Sequence, residues 1–406
     1  MPLFEASSLR SDLLSWFDRH RRDLPWRRTR DPYRIWVSEV MLQQTRVEAV
    51  LPYYERFLDR FPSVDELAGA PIDEVLALWS GLGYYRRARQ LHAAARHIAD
   101  AGEFPRTLDR LLDLPGVGSY TAAAVASIAF GLAVPVLDGN VERVMARRLA
   151  QAEDPKRGAP RARLVAAAAA LLDPSRPGDS NQALMELGAT VCLPRQPRCL
   201  LCPLRPGCAA AAEGRPELYP PPRRRRQTEI RWLLVAVVAS REDPDRVLLF
   251  RRSPRPPQAE PAAWLTAGSV GLPAGAWELP WLELADEEAQ PARLAPPTSP
   301  AAGERRSRGL ADKYGGAWRL GPALAAVRHG ITHRDLRVTV HGAELLSAGA
   351  DEVREGVDSG WFDAGERAAL PMSALVGKAL RARAAALGPA DVSGCRASPS
   401  RSRPRG

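Results

Sequence analysis

The chain has 406 residues, 45% hydrophobic and 26% charged, with a formal net charge of +10 and an isoelectric point near 9.8. That length suffices for two domains with cores of their own, and the basic balance makes polyanions eligible partners. No stretch is long and apolar enough to span a bilayer, and the first sixteen residues, with Glu5 and Asp12 among them, lack the apolar run of a secretory signal, so a cytoplasmic protein is expected, nucleoid-associated if bacterial. The positive charge is nearly all arginine, with lysine only at 156, 313 and 378, and an Ala/Arg/Pro-rich composition also follows from GC-rich coding. Charge alone therefore does not decide the partner.

From Leu9 to about Ala212, apolar residues recur at three- and four-residue spacing between short Pro, Gly and Asp breaks, which predicts an all-helical domain. In the segment from Pro32 to Phe61, Ile35, Trp36, Val40, Val47, Val50, Leu51, Tyr54 and Leu58 form one stripe, and Pro62 ends it. Further helices are predicted from Ile72 to Ser80, Tyr85 to Ala101, Thr107 to Leu112, Tyr120 to Phe130, Val141 to Leu149, Arg161 to Leu172 and Asn181 to Val191. This domain is expected over residues 1–212. A linker, 213–228, follows, with Tyr219-Pro220-Pro221-Pro222 and Arg223 to Arg226 as its stiff, charged part. Strand patterns then run from Arg231 to Ala239, Arg246 to Phe250, Trp277 to Leu284 and Leu336 to Leu345, with a closing helix from about Met372 to Ala385, giving an α+β domain over 229–387. Residues 286–310 and 388–406, rich in Pro, Ala, Ser and Arg, are expected to be a mobile loop and a disordered tail.

Four cysteines, Cys192, Cys199, Cys202 and Cys208, fall within seventeen residues at gaps of six, two and five. Disulfides would need an oxidising compartment that nothing here suggests, so the set reads as a metal centre: an iron-sulfur cluster, with a tetrathiolate zinc site as the alternative. Arg195, Arg198 and Arg205 flank it, and either contact phosphates or offset the thiolates' charge. Cys395 stands apart as an incidental thiol. The run Leu114-Pro115-Gly116-Val117-Gly118 lies between two helical patterns; such a hairpin can present backbone N–H groups and a helix N-terminus to a phosphate, through Gly116 and Gly118, or can simply be a tight turn. Read alone, either Asp138 or Asn140, on the two sides of Gly139, is a helix cap, and Glu39 is a solvated helix charge.

Together these motifs resemble the helix-hairpin-helix DNA glycosylases, and more closely the adenine DNA glycosylases of the MutY type, across nearly the whole chain. The residues that carry the resemblance are Arg22 to Arg27, Asp31 to Thr45, Gly81 to Tyr85, the hairpin, Val136 to Val141, Asn181 to Gly188 and the four cysteines, in that order. The implied architecture is an all-α glycosylase domain with an iron-sulfur loop, followed by an α+β Nudix-like domain. The implied activity is removal of adenine mispaired with 8-oxoguanine or guanine in double-stranded DNA, a step of base-excision repair that prevents G:C to T:A transversions.

The resemblance also implies roles for particular residues. Glu39 would protonate adenine N7 and would need a raised pKa; Asp138 would stay ionised beside an oxocarbenium-like sugar; Tyr120 and Asn140 would position the two carboxyls. Gln44 and Tyr84 would fill or wedge the opened stack, Leu42 and Thr45 would lie near the lesion, and Trp26, Arg27, Gln182 and Met185 would wall the adenine pocket. The cysteines would hold a 4Fe-4S cluster that fixes a DNA-binding loop. Relatives that also nick DNA carry Lys where this chain has Tyr120, so base excision without efficient strand cleavage is expected. The second domain resembles the Nudix-like part of these enzymes through Val247 to Arg252 and Gly275 to Pro280. It lacks a Glu-rich metal-binding helix and is therefore read as recognising rather than hydrolysing. The segment Arg328 to His333 resembles the lesion-reading loop, with Thr332 and His333 at its tip. Ile331-Thr332-His333 stands where the family more usually has Phe-Ser-His, and a strand-edge role for His329 and His333 is the alternative. A monomer is expected.

Overall fold

The structure, a computed structural model, describes residues 3–156, 158–221, 227–252, 275–285, 300–331, 334–347 and 357–388. The chain divides into two compact units, Met1–Arg225 and Arg226–Gly406.

The described part of the first unit is helical: α1 (Leu3–His20), α2 (Pro32–Leu42), α3 (Val47–Arg60), α4 (Val64–Gly69), α5 (Ile72–Leu78), α6 (Arg86–Ala101), α7 (Leu108–Leu112), α8 (Ser119–Phe130), α9 (Gly139–Arg148), α10 (Gly158–Ala169), α11 (Pro177–Thr190) and the single turn α12 (Ala209–Ala212). Local chemistry sets the boundaries. Asp31 caps α2 by accepting from the Tyr33 amide at 2.8 Å, with Pro32 at the first helical position. Ser63 and Glu66 form a capping box on α4, and Gly131, at φ 70°, ends α8 in the left-handed conformation.

Two apolar cores result. One joins Trp36, Met41, Phe57, Phe61, Trp79, Leu91 and the alanines of α8; the other joins Leu13, Phe17, Val141, Met145, Leu164, Leu184 and Leu187 from α1, α9, α10 and α11. Met185 packs against both, so the seam between the cores runs along α11. Two expectations need correction here. The stripe from Pro32 to Phe61 is two helices, interrupted at residues 43–46, where Gln44 has φ 62°. The linker expected to start at 213 instead begins packed: the Arg147 side chain donates to the Tyr219 carbonyl at 3.0 Å, and the Gln196 amide donates to Glu217 at 2.7 Å. Residues 222–226 lie outside the described part.

The second unit carries β1 (Glu229–Val238), β2 (Val247–Arg252), β3 (Trp277–Glu278), β4 (Trp281–Leu284), α13 (Pro300–Tyr314), β5 (Ala317–Ile331), β6 (Arg334–Ser347), β7 (Val357–Phe362), α14 (Ala364–Ala368) and α15 (Ala374–Leu387). One sheet has the order β4-β1-β6-β5 with β1 and β6 parallel, and the other the order β3-β2-β7, all antiparallel. The expected single strand from Trp277 to Leu284 is two strands, one in each sheet, and Leu279-Pro280 carries the chain between them. The mobile loop expected at 286–310 is helical from Pro300 onward, with Leu310 and Tyr314 buried and the Tyr314 ring 4.7 Å from that of Phe250. The alternation of β5 was hidden by Ala and Gly: it reads Leu-Gly-Pro-Ala-Leu-Ala-Ala over 320–326, with little side chain to reveal a buried face.

Candidate active site

The seam between the two cores of the first unit opens into a cavity of about 400 Å³ lined by Trp26, Arg27, Glu39, Leu42, Thr45, Tyr120, Asp138, Asn140, Gln182 and Met185, all singled out from the sequence. The walls come from α2, α8, α9, α11 and the 3-10 turn Pro25–Arg27, so the site depends on the tertiary fold rather than on one motif.

Glu39 projects from α2 and is 4% exposed, so it is no solvated helix charge. Burial pushes its carboxyl up to about 7; the hydrogen bond from the Tyr120 hydroxyl, 2.5 Å to Oε2, opposes that rise, and the nearby Asp138 adds to it. Tyr120 sits in the first turn of α8, immediately after the hairpin, and burial drives its own hydroxyl well above its ordinary range, so it acts as a donor. Asp138 is the N-cap of α9, accepting from the Val141 amide at 2.7 Å and from the Asn140 side-chain amide at 2.9 Å. Burial raises its carboxyl too, against those donors and the charge of Arg143. The cap reading and the site reading of Asp138 thus both hold: the cap bonds hold one carboxylate in the cavity wall.

Two contacts place Asp138 and Asn140. Buried Asn181 on α11 accepts from the Val136 amide at 3.0 Å and donates to Ser127 Oγ at 2.9 Å and the Val134 carbonyl at 2.8 Å, fixing the segment that leads into Asp138. Gly188, also on α11, lets Asn140 approach so closely that a Cβ there would lie 2.6 Å from the Asn140 Cβ. Arg143 then donates to Asn140 Oδ1 at 3.0 Å, to the Gly188 carbonyl at 2.8 Å and to the Cys192 carbonyl at 2.8 Å, joining the Asp138 turn to the cysteine segment.

Glu186 is a structural hub that no local pattern announces. It lies 1% exposed in the cavity wall, paired with Arg22 (Nε at 2.8 Å) and Arg27 (Nη2 at 2.8 Å). Despite the cost of burial, the bonds from Arg22 and Arg27 hold its carboxyl down to about 2. Arg46, Val47, Glu48 and Ile128 also line the cavity unforeseen.

Gln44 and Tyr84 do not line this cavity; both are exposed, with positive φ of 62° and 50°. Gly116 has φ 76°, and a Cβ on it would meet Gln90 at 2.5 Å. Gly118 is the N-cap of α8 and offers no side chain, which leaves the first-turn amides of that helix without a side-chain cap. Thr332 and His333 lie outside the described residues, between the paired ends Ile331 and Arg334 of β5 and β6. His329 has a buried Nδ1 with no hydrogen-bond partner, and burial lowers its pKa.

Cys192, Cys199, Cys202 and Cys208 line a single small cavity with Arg147, Arg148 and Arg205. Among the described residues no group of three or more His, Cys, Asp or Glu side chains is gathered tightly enough for a metal ion. The donor chemistry nevertheless fits a larger centre: the four cysteines line one cavity, and burial pushes Cys202 up to about 12 and raises Cys208, with the neighbouring sulfurs adding to both, so thiolates at these two positions need a positively charged group beside them. Arg147 braces the loop, donating to Cys192 Sγ at 3.3 Å and to the carbonyls of Leu193 at 2.6 Å and Pro194 at 2.9 Å.

Residues 37–167 match the model of the HhH-GPD superfamily base excision DNA repair proteins. The adenine DNA glycosylase of Mus musculus is 42% identical over 324 residues, covering 70% of this chain and 62% of its own length. The chain belongs to the helix-hairpin-helix DNA glycosylases of the MutY type. Proteins named adenine DNA glycosylase from Homo sapiens and Mycolicibacterium smegmatis are 49% and 48% identical over 217 and 197 residues, which cover 51% and 48% of this chain and 40% and 66% of theirs. The chain thus spans 40 to 62% of the length of the two mammalian glycosylases. The 70% covered by the mouse protein is more than Met1–Arg225 can supply, so the likeness to this family continues into the second unit.

Proposed function

We propose that the protein is an adenine DNA glycosylase that hydrolyses the N-glycosidic bond of adenine opposite 8-oxoguanine or guanine in double-stranded DNA. The observation that carries this is the pair of buried carboxyls, Glu39 and Asp138, in one cavity with unequal supports: burial raises both, Glu39 to about 7 against one neutral donor, Asp138 against two bonded donors and the Arg143 charge. Expelling adenine as a neutral base needs a proton on the purine, and a carboxyl with a pKa near 7 still carries one at physiological pH. The sugar left behind is electron-poor at its anomeric carbon, and a carboxylate against it stabilises that charge in a site sheltered from water. Asp138 has this role. Once ionised, Glu39 accepts a proton from the attacking water, while Tyr120 and Asn140 hold the two carboxyls in place.

The remaining residues serve binding. Trp26, Arg27, Gln182 and Met185 take the extruded adenine; Gln44 and Tyr84 occupy the opened stack, with Leu42 and Thr45 beside the lesion. Gly116 and Gly118 bring the α8 amides to a phosphate. Tyr120 supplies no amine, so the reaction stops at the abasic site. In the second unit, a Nudix-like domain, Thr332 and His333 meet the 8-oxoguanine edge. Cys192, Cys199, Cys202 and Cys208 would hold a 4Fe-4S cluster, which supplies a rigid charged scaffold for the loop and takes no part in hydrolysis. The protein acts as a monomer in the cytoplasm, at the nucleoid if bacterial.

Single-turnover adenine release from a duplex with one 8-oxoguanine:adenine pair tests this, with Glu39→Gln alongside and products examined before and after alkali. Release by wild type alone, with breaks only after alkali, is expected. Equal release by Glu39→Gln removes Glu39 from the reaction, and binding without release by either protein overturns the enzyme reading.

A further inference from the structure

Arg87, on α6, is 8% exposed, and its partners form an unusual set for a buried arginine. Nη1 donates to three main-chain carbonyls at the end of α2 and beyond it: Val40 at 2.9 Å, Met41 at 3.0 Å and Gln43 at 2.5 Å. Nη2 reaches Thr45 Oγ1 at 3.3 Å and the carbonyls of Leu82 and Gly83 at 3.5 and 3.4 Å. The guanidinium carbon lies 5.6 Å from the centre of the Trp79 ring and 5.3 Å from that of Tyr84. One planar cation therefore grips two segments about forty residues apart in sequence, 40–45 and 82–84.

Each gripped segment carries a residue in a conformation that L side chains avoid. Gln44, at φ 62°, lies between the Gln43 carbonyl and the Thr45 hydroxyl, and Tyr84, at φ 50°, follows the Gly83 carbonyl and lies under the guanidinium. A left-handed non-glycine residue is disfavoured by its own Cβ and persists only where surrounding contacts over-determine it. Both residues are nonetheless exposed, Tyr84 by 45%, so their side chains are offered to a partner rather than used in the core.

We infer that Arg87 is a positioning residue that holds Gln44 and Tyr84 together as a preformed pair for entry into the opened DNA stack. The inference rests on the glycosylase reading above. Arg87 touches neither the cavity nor the reacting atoms and acts only through the two loops. Its fork shape is required: a lysine ammonium has the charge but cannot donate from two nitrogens in one plane to both segments. The preformed geometry spares the ordering of two loops on the DNA, and misplacement of such elements by about 1 Å costs on the order of a hundredfold in rate.

The test uses the full-length protein and a duplex with 2-aminopurine next to the target adenine, whose fluorescence rises on unstacking. In Arg87→Lys, unstacking and single-turnover excision are expected to slow together by about a hundredfold, while the pH midpoint of excision stays at the wild-type value. Adding Gln44→Ala and Tyr84→Ala to Arg87→Lys is expected to cost much less than adding them to wild type, because the clamp acts through those side chains. A folded Arg87→Lys protein with wild-type unstacking, or full additivity, overturns the inference. If Arg87→Lys does not fold by circular dichroism, amide exchange in the wild type decides: the Thr45 amide is expected to exchange as slowly as the centre of α6, and rapid exchange overturns the clamp. Wild type that unstacks the duplex without releasing adenine would sink the glycosylase reading while leaving the Arg87 comparison intact.

Discussion

Glu39→Gln should change stability in a direction set chiefly by burial. The wild-type carboxyl titrates at about 7 in the folded protein against 4.5 in the open chain. Between those values the folded state binds more protons than the unfolded one, so the Glu39 contribution to stability falls as pH rises from about 4.5 to 7 and is then constant. At about 1.4 kcal/mol per tenfold change in proton affinity, the full loss is on the order of 3 kcal/mol. Glutamine keeps the shape and still accepts from Tyr120, but has no charge to desolvate. The variant should therefore gain on wild type between pH 5 and pH 8, by up to about 3 kcal/mol, or roughly 6–12 °C in the melting of a unit of this size. Differential scanning calorimetry of both full-length proteins at the two pH values reads the difference, and contributions from groups not coupled to Glu39 cancel in the comparison. A difference that does not change with pH would mean that Glu39 titrates near its ordinary value, and the argument for its role as the acid would fail with it.

Tyr120→Phe removes the one hydrogen bond that lowers the Glu39 carboxyl, so the alkaline limb of the excision pH profile should move upward, by about one pH unit for a bond of 1.5–3 kcal/mol shared between bonded and unbonded forms. Gly188→Ala puts a Cβ 2.6 Å from the Asn140 Cβ, and the overpacking should destabilise the first unit by about 1–3 kcal/mol in a urea titration and slow excision as Asn140 shifts. Glu186→Gln leaves buried Arg27, 10% exposed, without its carboxylate, at a cost of about 3–5 kcal/mol. Because Glu186 is held down to about 2, its contribution is present above pH 4.5 and fades as pH falls from there towards 2, so wild type and Glu186→Gln should converge in melting temperature at low pH.

What was legible in the sequence follows the range of the forces involved. The helices from Ile72 to Thr190 could be read to within a few residues because ends are set locally, by Thr107 as the cap of α7 and by Gly102 and Gly131 in the left-handed region, whereas α11 begins at Pro177, ahead of the expected Asn181. The foreseen cavity residues were legible because each falls in, or for Tyr120 just after, one of the separate motif blocks that carry the family resemblance, from Arg22–Arg27 to Asn181–Gly188. The second unit was read less well: α13 has only Leu310 and Tyr314 as large buried anchors, and their partner Phe250 lies on β2, some sixty residues earlier.

The features that escaped are those in which a charge is answered from far along the chain. Glu186 meets Arg22 and Arg27 across about 160 residues, and nothing local separates it from a solvated helix glutamate. The end of α2 is the sharper case. The apolar stripe Val40, Val47, Val50 continues through residues 43–46 as though one helix ran on, and no proline or glycine interrupts it there. The helix stops where Arg87 takes its terminal carbonyls, an interaction spanning more than forty residues that supplies the donors the next turn would have supplied. The same arginine then holds the left-handed Gln44 and the segment before Tyr84. A break that periodicity could not foresee therefore has the physical signature of a built site: local preference is overruled at the two residues proposed to enter the DNA, and a buried cation outside the cavity bears the strain.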